Sequence, residues 1–128
     1  MTSEAQTQQE IRLAASAAGC TLFRNNVGQA WSGSRIERLS GNRLIIHDAR
    51  PVQFGLCVGS SDLVGWKPVT VTQDMVGATI AAFVAIEVKA PRGRATDAQM
   101  NFIAAVIAAG GRAGIARSTD DLRAIVKG

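Results

Sequence analysis

Apolar positions have a helical period at the start of the chain, fall into short runs through its middle, and regain the helical period near its end. Ile11, Ala14, Ala15 and Ala18 lie three or four apart, which predicts a helix over Ser3 to Ala18. Ser3 with Gln6, and Thr7 with Glu10, both have capping-box spacing, and Gly19 supplies a stop. Thr21 to Arg24 predicts a short strand, and the Asn-, Gly- and Ser-rich stretch Asn25 to Ser34 a loop. Ile36 to His47 predicts a hairpin turning at Ser40-Gly41-Asn42. Gln53 to Val58 reads as another strand. Gly59-Ser60-Ser61 then turns directly into a strand at Asp62 to Val64, and Val69 to Thr72 reads as one more.

The strongest strand signal is Thr79 to Lys89, whose unbroken apolar run from Ile80 to Ile86 suits a strand buried on both faces. A basic loop, Ala90 to Ala95, follows it. A helix is predicted from Thr96 to about Ala109, opened by a Thr96–Gln99 capping box and closed by Gly110-Gly111. Arg112 to Arg117 predicts a strand, and a last helix starts at Ser118, with Asp121 at the capping-box position, and runs to the end. The order helix, strands, helix, strand, helix predicts an α/β sandwich with a mixed central sheet. Its crossover helix packs on one face. No repeat, low-complexity tract or internal linker interrupts residues 1–128, so one domain is expected.

Composition narrows this picture only slightly. Apolar residues at 47% and charged residues at 19% are an ordinary globular balance. Fourteen Lys and Arg against ten Asp and Glu give a formal charge of +4, compatible with a polyphosphate partner and weak evidence for one. Cys20 and Cys57 form no CxxC pair and read as two buried thiols in a reducing cytosol. The start Met1-Thr2-Ser3-Glu4 has no basic or apolar leader character, and the run Val76 to Val88 is too short to span a bilayer. A soluble intracellular protein with no membrane partner is expected.

Candidate chemistry begins at Glu87 and Lys89. They lie two apart on a predicted strand, so both side chains leave the same face, while Val88 points back to the core. Burying such charges costs several kcal/mol unless they are paired or metal-bound. The plain alternative is that the strand ends there and the two charges reach water as an ion pair. Asp62 opens a short apolar strand and can meet Glu87 if the two strands are neighbours. Two such carboxylates repel unless a cation lies between them, and oxygen ligands with open positions suit Mg²⁺ or Mn²⁺. The plain reading of Asp62 is a turn residue bonded to nearby backbone N–H groups.

Asp62, Glu87 and Lys89 match the D…ExK core of the PD-(D/E)xK nucleases. More specific words surround them. Arg24-Asn25-Asn26-Val27-Gly28 and Gly59-Ser60-Ser61-Asp62-Leu63-Val64-Gly65 resemble the virus-type replication-repair nuclease (VRR-NUC) domain. So do Ala85-Ile86-Glu87-Val88-Lys89, Gly93-Arg94, Gln99 and the tail Gly110 to Ser118. Trp31 to Gln53 matches least, and Ser61 stands where the motif has proline. The resemblance implies a restriction-endonuclease-like α/β/α core with a mixed central sheet flanked by helices. It implies that Asp62, Glu87 and the Val88 carbonyl bind Mg²⁺, with Mn²⁺ able to substitute. Lys89 is then the catalytic lysine, Glu10 supports the metal site, and Gln99 lies near it. Glu10 shares a helix face with Leu13, Ala14 and Ala17 that is expected to meet the core. Glu10 and Gln99 also have plain roles, as capping partners of Thr7 and Thr96.

Arg24, Arg92, Arg94 and Arg117 are candidate phosphate contacts, each with the alternative of a solvated surface charge. Trp31 and Trp66 are weighed as base-stacking or packing residues. His47 is the only histidine and has no partner with metal-ligand spacing. The expected function is a structure-selective, metal-dependent DNA endonuclease acting on four-way junctions or other branched DNA, in the cytoplasm of a bacterial or phage-infected cell. The alternatives are a catalytically silent nucleic-acid-binding module and a nuclease of flap or linear DNA. A restriction-type enzyme lacks sequence to spare for base readout, and a small-molecule enzyme lacks a phosphate-cradling glycine loop. From Phe102 to Ala109 the helix is apolar all round, which predicts either cover by another helix of the chain or a symmetric homodimer.

Overall fold

The computed structural model describes residues 3–127; Met1, Thr2 and Gly128, which the leader argument and the end of the last helix touch, lie outside the described residues. The elements run α1 (Glu4–Ala17), β1 (Thr21–Arg24), β2 (Gly28–Ser32), β3 (Arg35–Arg38), β4 (Leu44–His47), β5 (Arg50–Phe54), β6 (Leu63–Trp66), β7 (Val84–Val88), α2 (Asp97–Ala108), β8 (Arg112–Ala116) and α3 (Thr119–Val126). A single 3-10 turn occupies Gln73–Met75. The class is mixed α/β. Strand pairing among the described residues gives four two-stranded sheets, β1–β6, β2–β5, β3–β4 and β7–β8. The chain divides into two compact units, one of residues 1–21 with 65–128 and one of residues 22–64.

In the first unit, β7 and β8 pair in parallel with Val84 opposite Arg112 and Val88 opposite Ala116, and α2 is the crossover between them. Ile103 and Val106 on α2 are buried, at 8% and 1% exposure. They share a stripe with Gln99, whose amide reaches Glu87, so α2 covers the face of Ala85 and Glu87. The opposite face belongs to α3. A Cβ on Gly114 would come within 2.9 Å of the Ile125 side chain, so glycine is what lets the last helix lie close to β8. Both long helices end as their glycines predict. The Cys20 N–H donates to the Ala15 carbonyl and the Gly111 N–H to the Val106 carbonyl, each closing a Schellman turn. Gly110, at φ 96°, takes the left-handed backbone that turn needs.

The helix starts are equally regular. Ser3, Thr96 and Ser118 accept from the backbone N–H groups of Gln6, Gln99 and Asp121. Thr7 and Glu10 do not cap: Thr7 lies inside α1, and its hydroxyl donates to the Ser3 carbonyl at 3.1 Å. The face that Glu10 shares with Leu13, Ala14 and Ala17 was expected to meet the core. It is exposed, Leu13 by 68%, because α1 buries none of its residues.

The apolar run before Lys89 departs most from expectation. Only Val84–Val88 is strand, not Thr79 to Lys89, and residues 69–72 form no strand. Nor is the strand buried on both faces: Val84 is 48% and Val88 76% exposed. The run is apolar enough for a buried strand, but α3 packs mainly on β8 and leaves Val84 and Val88 open. Trp66 is half-buried in an aromatic cluster of this unit, its ring centroid 4.9 Å from Phe83 and 6.0 Å from Phe102. Packing, the plainer of its two readings, is therefore satisfied.

The second unit contains no helix among its described residues. β3 and β4 form the expected hairpin, in register from Arg35 opposite His47 to Arg38 opposite Leu44. The stretch expected to be a loop contains β2, which pairs antiparallel with β5 from Gly28 opposite Phe54 to Ser32 opposite Arg50. The glycines and serines around it concealed a strand that tertiary pairing stabilises. β5 accordingly sits at Arg50–Phe54 rather than at Gln53 to Val58. Trp31 on β2 is 54% exposed. Cys57, expected to be buried, is exposed in the turn after β5, and Cys20 in the first unit is half-buried. His47 Nε2 lies 2.6 Å from a Glu37 carboxylate oxygen and 3.1 Å from the Arg35 guanidinium, so the lone histidine is engaged on the hairpin.

Candidate metal and phosphate site

Glu87 and Lys89 leave β7 and its end on one face, as alternation requires. Lys89 Nζ lies 3.1 Å from Glu87 Oε1, with the two side chains 20% and 30% exposed. The ion pair of the plain reading is therefore present, but it is withdrawn from open water. Gln99 completes it: its side-chain amide donates to the same Glu87 oxygen at 2.9 Å. Gln99 caps α2 at the same time, its Oε1 accepting from the Thr96 N–H at 2.9 Å. The two roles are compatible because the cap uses the amide oxygen and Glu87 the amide nitrogen. Among the described residues, Glu87 Oε2 has no partner.

The ladder phase decides where the Val88 carbonyl points. The Arg112 N–H donates to the Phe83 carbonyl at 2.8 Å and the Lys89 N–H to the Ala116 carbonyl at 3.1 Å. In parallel pairing this directs the backbone groups of Phe83, Ala85, Glu87 and Lys89 toward β8. The carbonyls of Val84, Ile86 and Val88 consequently face the other edge of β7, outside the β7–β8 ladder.

Asp62 belongs to the second unit, at the entry to β6. Its side chain is exposed and makes no hydrogen bond among the described residues, so the turn-capping role is not realised. Its backbone is held instead. The Asp62 carbonyl accepts from the Asn25 N–H at 2.8 Å. Asn25 is the one polar residue buried among those described, at 8% exposure. Its Nδ2 donates to Ser60 Oγ at 2.7 Å and to the Ser61 carbonyl at 2.8 Å, and its Oδ1 accepts from the Leu56 N–H at 3.0 Å. Asn25 has no evident role in the sequence alone, although it stands in a word that carries the family resemblance. Its position just after a predicted strand and ahead of a polar turn was the signal available.

Glu10 lies exposed on α1, its side chain in no ion pair or hydrogen bond among the described residues. No three His, Cys, Asp or Glu side chains among the described residues form a group able to hold a metal. The ligands expected from the sequence are Asp62, in the second unit, and Glu87 with the Val88 carbonyl, in the first: two carboxylates and one carbonyl. All are oxygen: among the described residues the Asp62 side chain makes no hydrogen bond, Glu87 keeps one open oxygen, and the Val88 carbonyl lies outside the β7–β8 ladder. That chemistry fits a hard divalent cation that retains water ligands.

Each of the candidate basic residues lies at or after a strand end. Arg92 and Arg94 are exposed in the loop that follows Lys89. Arg117 follows β8, and its guanidinium donates to the Gly93 carbonyl at 2.8 Å, tying the end of β8 to that loop. Arg24, in the second unit, is exposed at the end of β1. Two hollows flank the end of β7. One of about 300 Å³ lies toward α2, lined by Ala85, Glu87, Gln99 and Phe102; one of about 340 Å³ lies toward α3, lined by Val88, Lys89, Arg117 and Ser118. Glu87, Lys89, Arg92, Arg94 and Arg117 all lie at or just after the ends of the two parallel strands, the usual location of a site in this arrangement.

Comparison with known proteins gives one result. The VRR-NUC domain model matches residues 2–120 of the 128. No curated protein matches the chain, and no solved structure does.

Proposed function

The chain belongs to the VRR-NUC domain family, nucleases of the PD-(D/E)xK type, and from that premise we propose that it is a metal-dependent endonuclease of branched DNA. The observation that carries the reading is the half-engaged Glu87 carboxylate, fixed at one oxygen by Lys89 and Gln99 and open at the other. We assign Asp62, Glu87 and the Val88 carbonyl as ligands of Mg²⁺, with Mn²⁺ able to substitute. When bound, such an ion polarises the phosphate and makes a bound water more acidic. The protein's own groups do the rest. Lys89 spends one of its three N–H donors on Glu87 and keeps two for the scissile phosphate and the attacking water. Gln99 holds the Glu87 carboxylate in one rotamer. Glu10 is kept as a supporting carboxylate that becomes engaged when substrate and metal are present.

Arg24, Arg92, Arg94 and Arg117 supply backbone phosphate contacts, which set affinity rather than sequence preference. The restriction-endonuclease-like core, with one mixed sheet, is the architecture that family membership suggests for this chain. No described helix is long and apolar enough to cross a membrane.

The preference for branched DNA rests on a dimer. Met100, Ala104, Ile107 and Ala108 make an exposed stripe on α2 opposite its buried one, with Met100 46% and Ile107 54% exposed. The expected alternative, cover by another helix of the chain, is not what those exposures favour. A second copy bringing its own α2 would bury this stripe, and a two-fold pair of sites would cut two strands symmetrically. Purified protein tested with Mg²⁺ on junctions, flaps, splayed arms, linear duplex and single strands should cleave junctions best and stop in excess chelator. Light scattering should give a dimer. Equal cleavage with chelator overturns the metal assignment, and a monomer that prefers flaps or linear DNA overturns the dimeric junction reading.

A further inference from the structure

We propose that Asn25 is the positioning residue of the Asp62 ligand; the inference rests on the reading of Asp62 as a ligand and adds to it the residue that fixes its backbone. Asp62 sits at the mouth of an exposed turn, and its own side chain contributes nothing to holding it there. Across that turn Leu56 is 67% and Val58 95% exposed, so packing does not fix the loop. Hydrogen bonds from Asn25 do. Its N–H reaches the Asp62 carbonyl, its Nδ2 the Ser61 carbonyl and Ser60 Oγ, and its Oδ1 the Leu56 N–H. The loop is thus clamped at both ends, at Leu56 and at residues 60–62, by one residue. Ser60 extends the clamp inward, its hydroxyl donating to the Cys57 carbonyl at 2.7 Å.

The partners determine which residue can do this. The Leu56 N–H can only donate and the Ser61 carbonyl can only accept. Position 25 must therefore present an acceptor and a donor from one planar group, which is an amide. Aspartate has the same shape but no donor, so Asn25→Asp would set a carboxylate oxygen against the Ser61 carbonyl inside a buried site. Outer groups that orient a metal's ligands typically alter affinity about 10–100-fold when removed.

The test uses Mn²⁺ as the probe, its binding followed by the loss of the free-ion spin-resonance signal, with amide hydrogen exchange read on the same full-length proteins. Asn25→Asp should weaken Mn²⁺ binding about 10–100-fold and speed exchange across residues 55–62 while α2 stays protected. Raised Mn²⁺ should restore its cleavage, whereas Asp62→Asn should not be restored. If Asn25→Asp folds poorly, Ser60→Ala, which removes a single bond of the clamp, should give the same effects more weakly. Wild-type Mn²⁺ affinity in a folded Asn25→Asp or Ser60→Ala protein, with the loop loosened, overturns the proposal and leaves the Asp62 assignment standing. Wild-type affinity in Asp62→Asn instead removes the ligand assignment, and the positioning role with it.

Discussion

The two units hold their candidate site residues by different physics. In the first, Glu87 and Lys89 stand on a strand paired to β8, with α2 packed over their face through Ile103 and Val106. In the second, Asp62 stands in a helix-free region of exposed hairpins, where one buried asparagine replaces packing with hydrogen bonds. A helix on a sheet fixes a side chain through many weak contacts, each dispensable. A polar clamp fixes it through a few directional bonds, each costly to leave half-made. The first unit should therefore tolerate conservative changes around its site residues, whereas the second should respond sharply to a single atom.

The largest effects should come from the ligands themselves. Glu87→Ala and Asp62→Asn should each lower single-turnover cleavage by about 10²–10³-fold or more, as loss of transition-state charge stabilisation does. DNA affinity and its salt dependence should change little, because phosphate contacts come from arginine and lysine. The two variants should differ in melting temperature. Asp62 makes no side-chain hydrogen bond among the described residues, so Asp62→Asn should melt like wild type, while Glu87→Ala strips partners from Lys89 and Gln99 and should melt lower. Wild-type turnover in either protein rejects that residue as a ligand.

This asymmetry also explains what the sequence could tell. The triplet Glu87-Val88-Lys89, the Thr96–Gln99 and Ser118–Asp121 caps and the glycine stops are local patterns, and the structure realises each of them. The Ser40-Gly41-Asn42 hairpin was legible for the same reason. Two things were not. The apolar run from Ile80 does not become strand before Val84, because hydrophobicity without a period does not say where pairing starts. β2 hides in a Gly- and Ser-rich stretch because its partner, β5, is about twenty residues away and sets it by pairing. Asn25 belongs with these. Its bonds span more than thirty residues, so its neighbours in sequence mark its place after a strand but not its partners.

Stability should separate the units next. Ile103→Ala removes a buried side chain from under α2 and should cost about 2–5 kcal/mol in denaturant unfolding. Val58→Ala, at a residue 95% exposed in the second unit, should stay within about 0.5 kcal/mol. Similar losses from both would mean that the turn before Asp62 is packed after all, and the contrast drawn above would fail.

A smaller effect tests how α3 closes the first unit. Gly114→Ala places a methyl within 2.9 Å of Ile125 and should cost about 1–3 kcal/mol as overpacking. Adding Ile125→Val, which removes the terminal methyl among the crowded atoms, should recover part of that loss. Additive losses in the double variant would show that α3 does not rest on Gly114.

The smallest expected change separates the two roles of Gln99. Thr96→Ala removes the hydroxyl that caps α2 and should cost about 1 kcal/mol of stability with little effect on cleavage. Gln99→Glu should do the reverse. A glutamate still accepts from the Thr96 N–H, and a negative charge in the first turn suits the helix dipole, so α2 should be undisturbed. It cannot donate to Glu87, and it brings a second carboxylate to an oxygen that Lys89 already shares. Cleavage should fall about tenfold, the lower end for a lost outer-shell bond, while the melting temperature drops less than in Thr96→Ala. If Thr96→Ala lowers cleavage as much as Gln99→Glu does, Gln99 matters only through the helix it caps, and the amide bond to Glu87 is incidental. If Gln99→Glu alone loses activity, the first unit also contains one directional polar contact at its site, a single-bond counterpart of the clamp at Asn25.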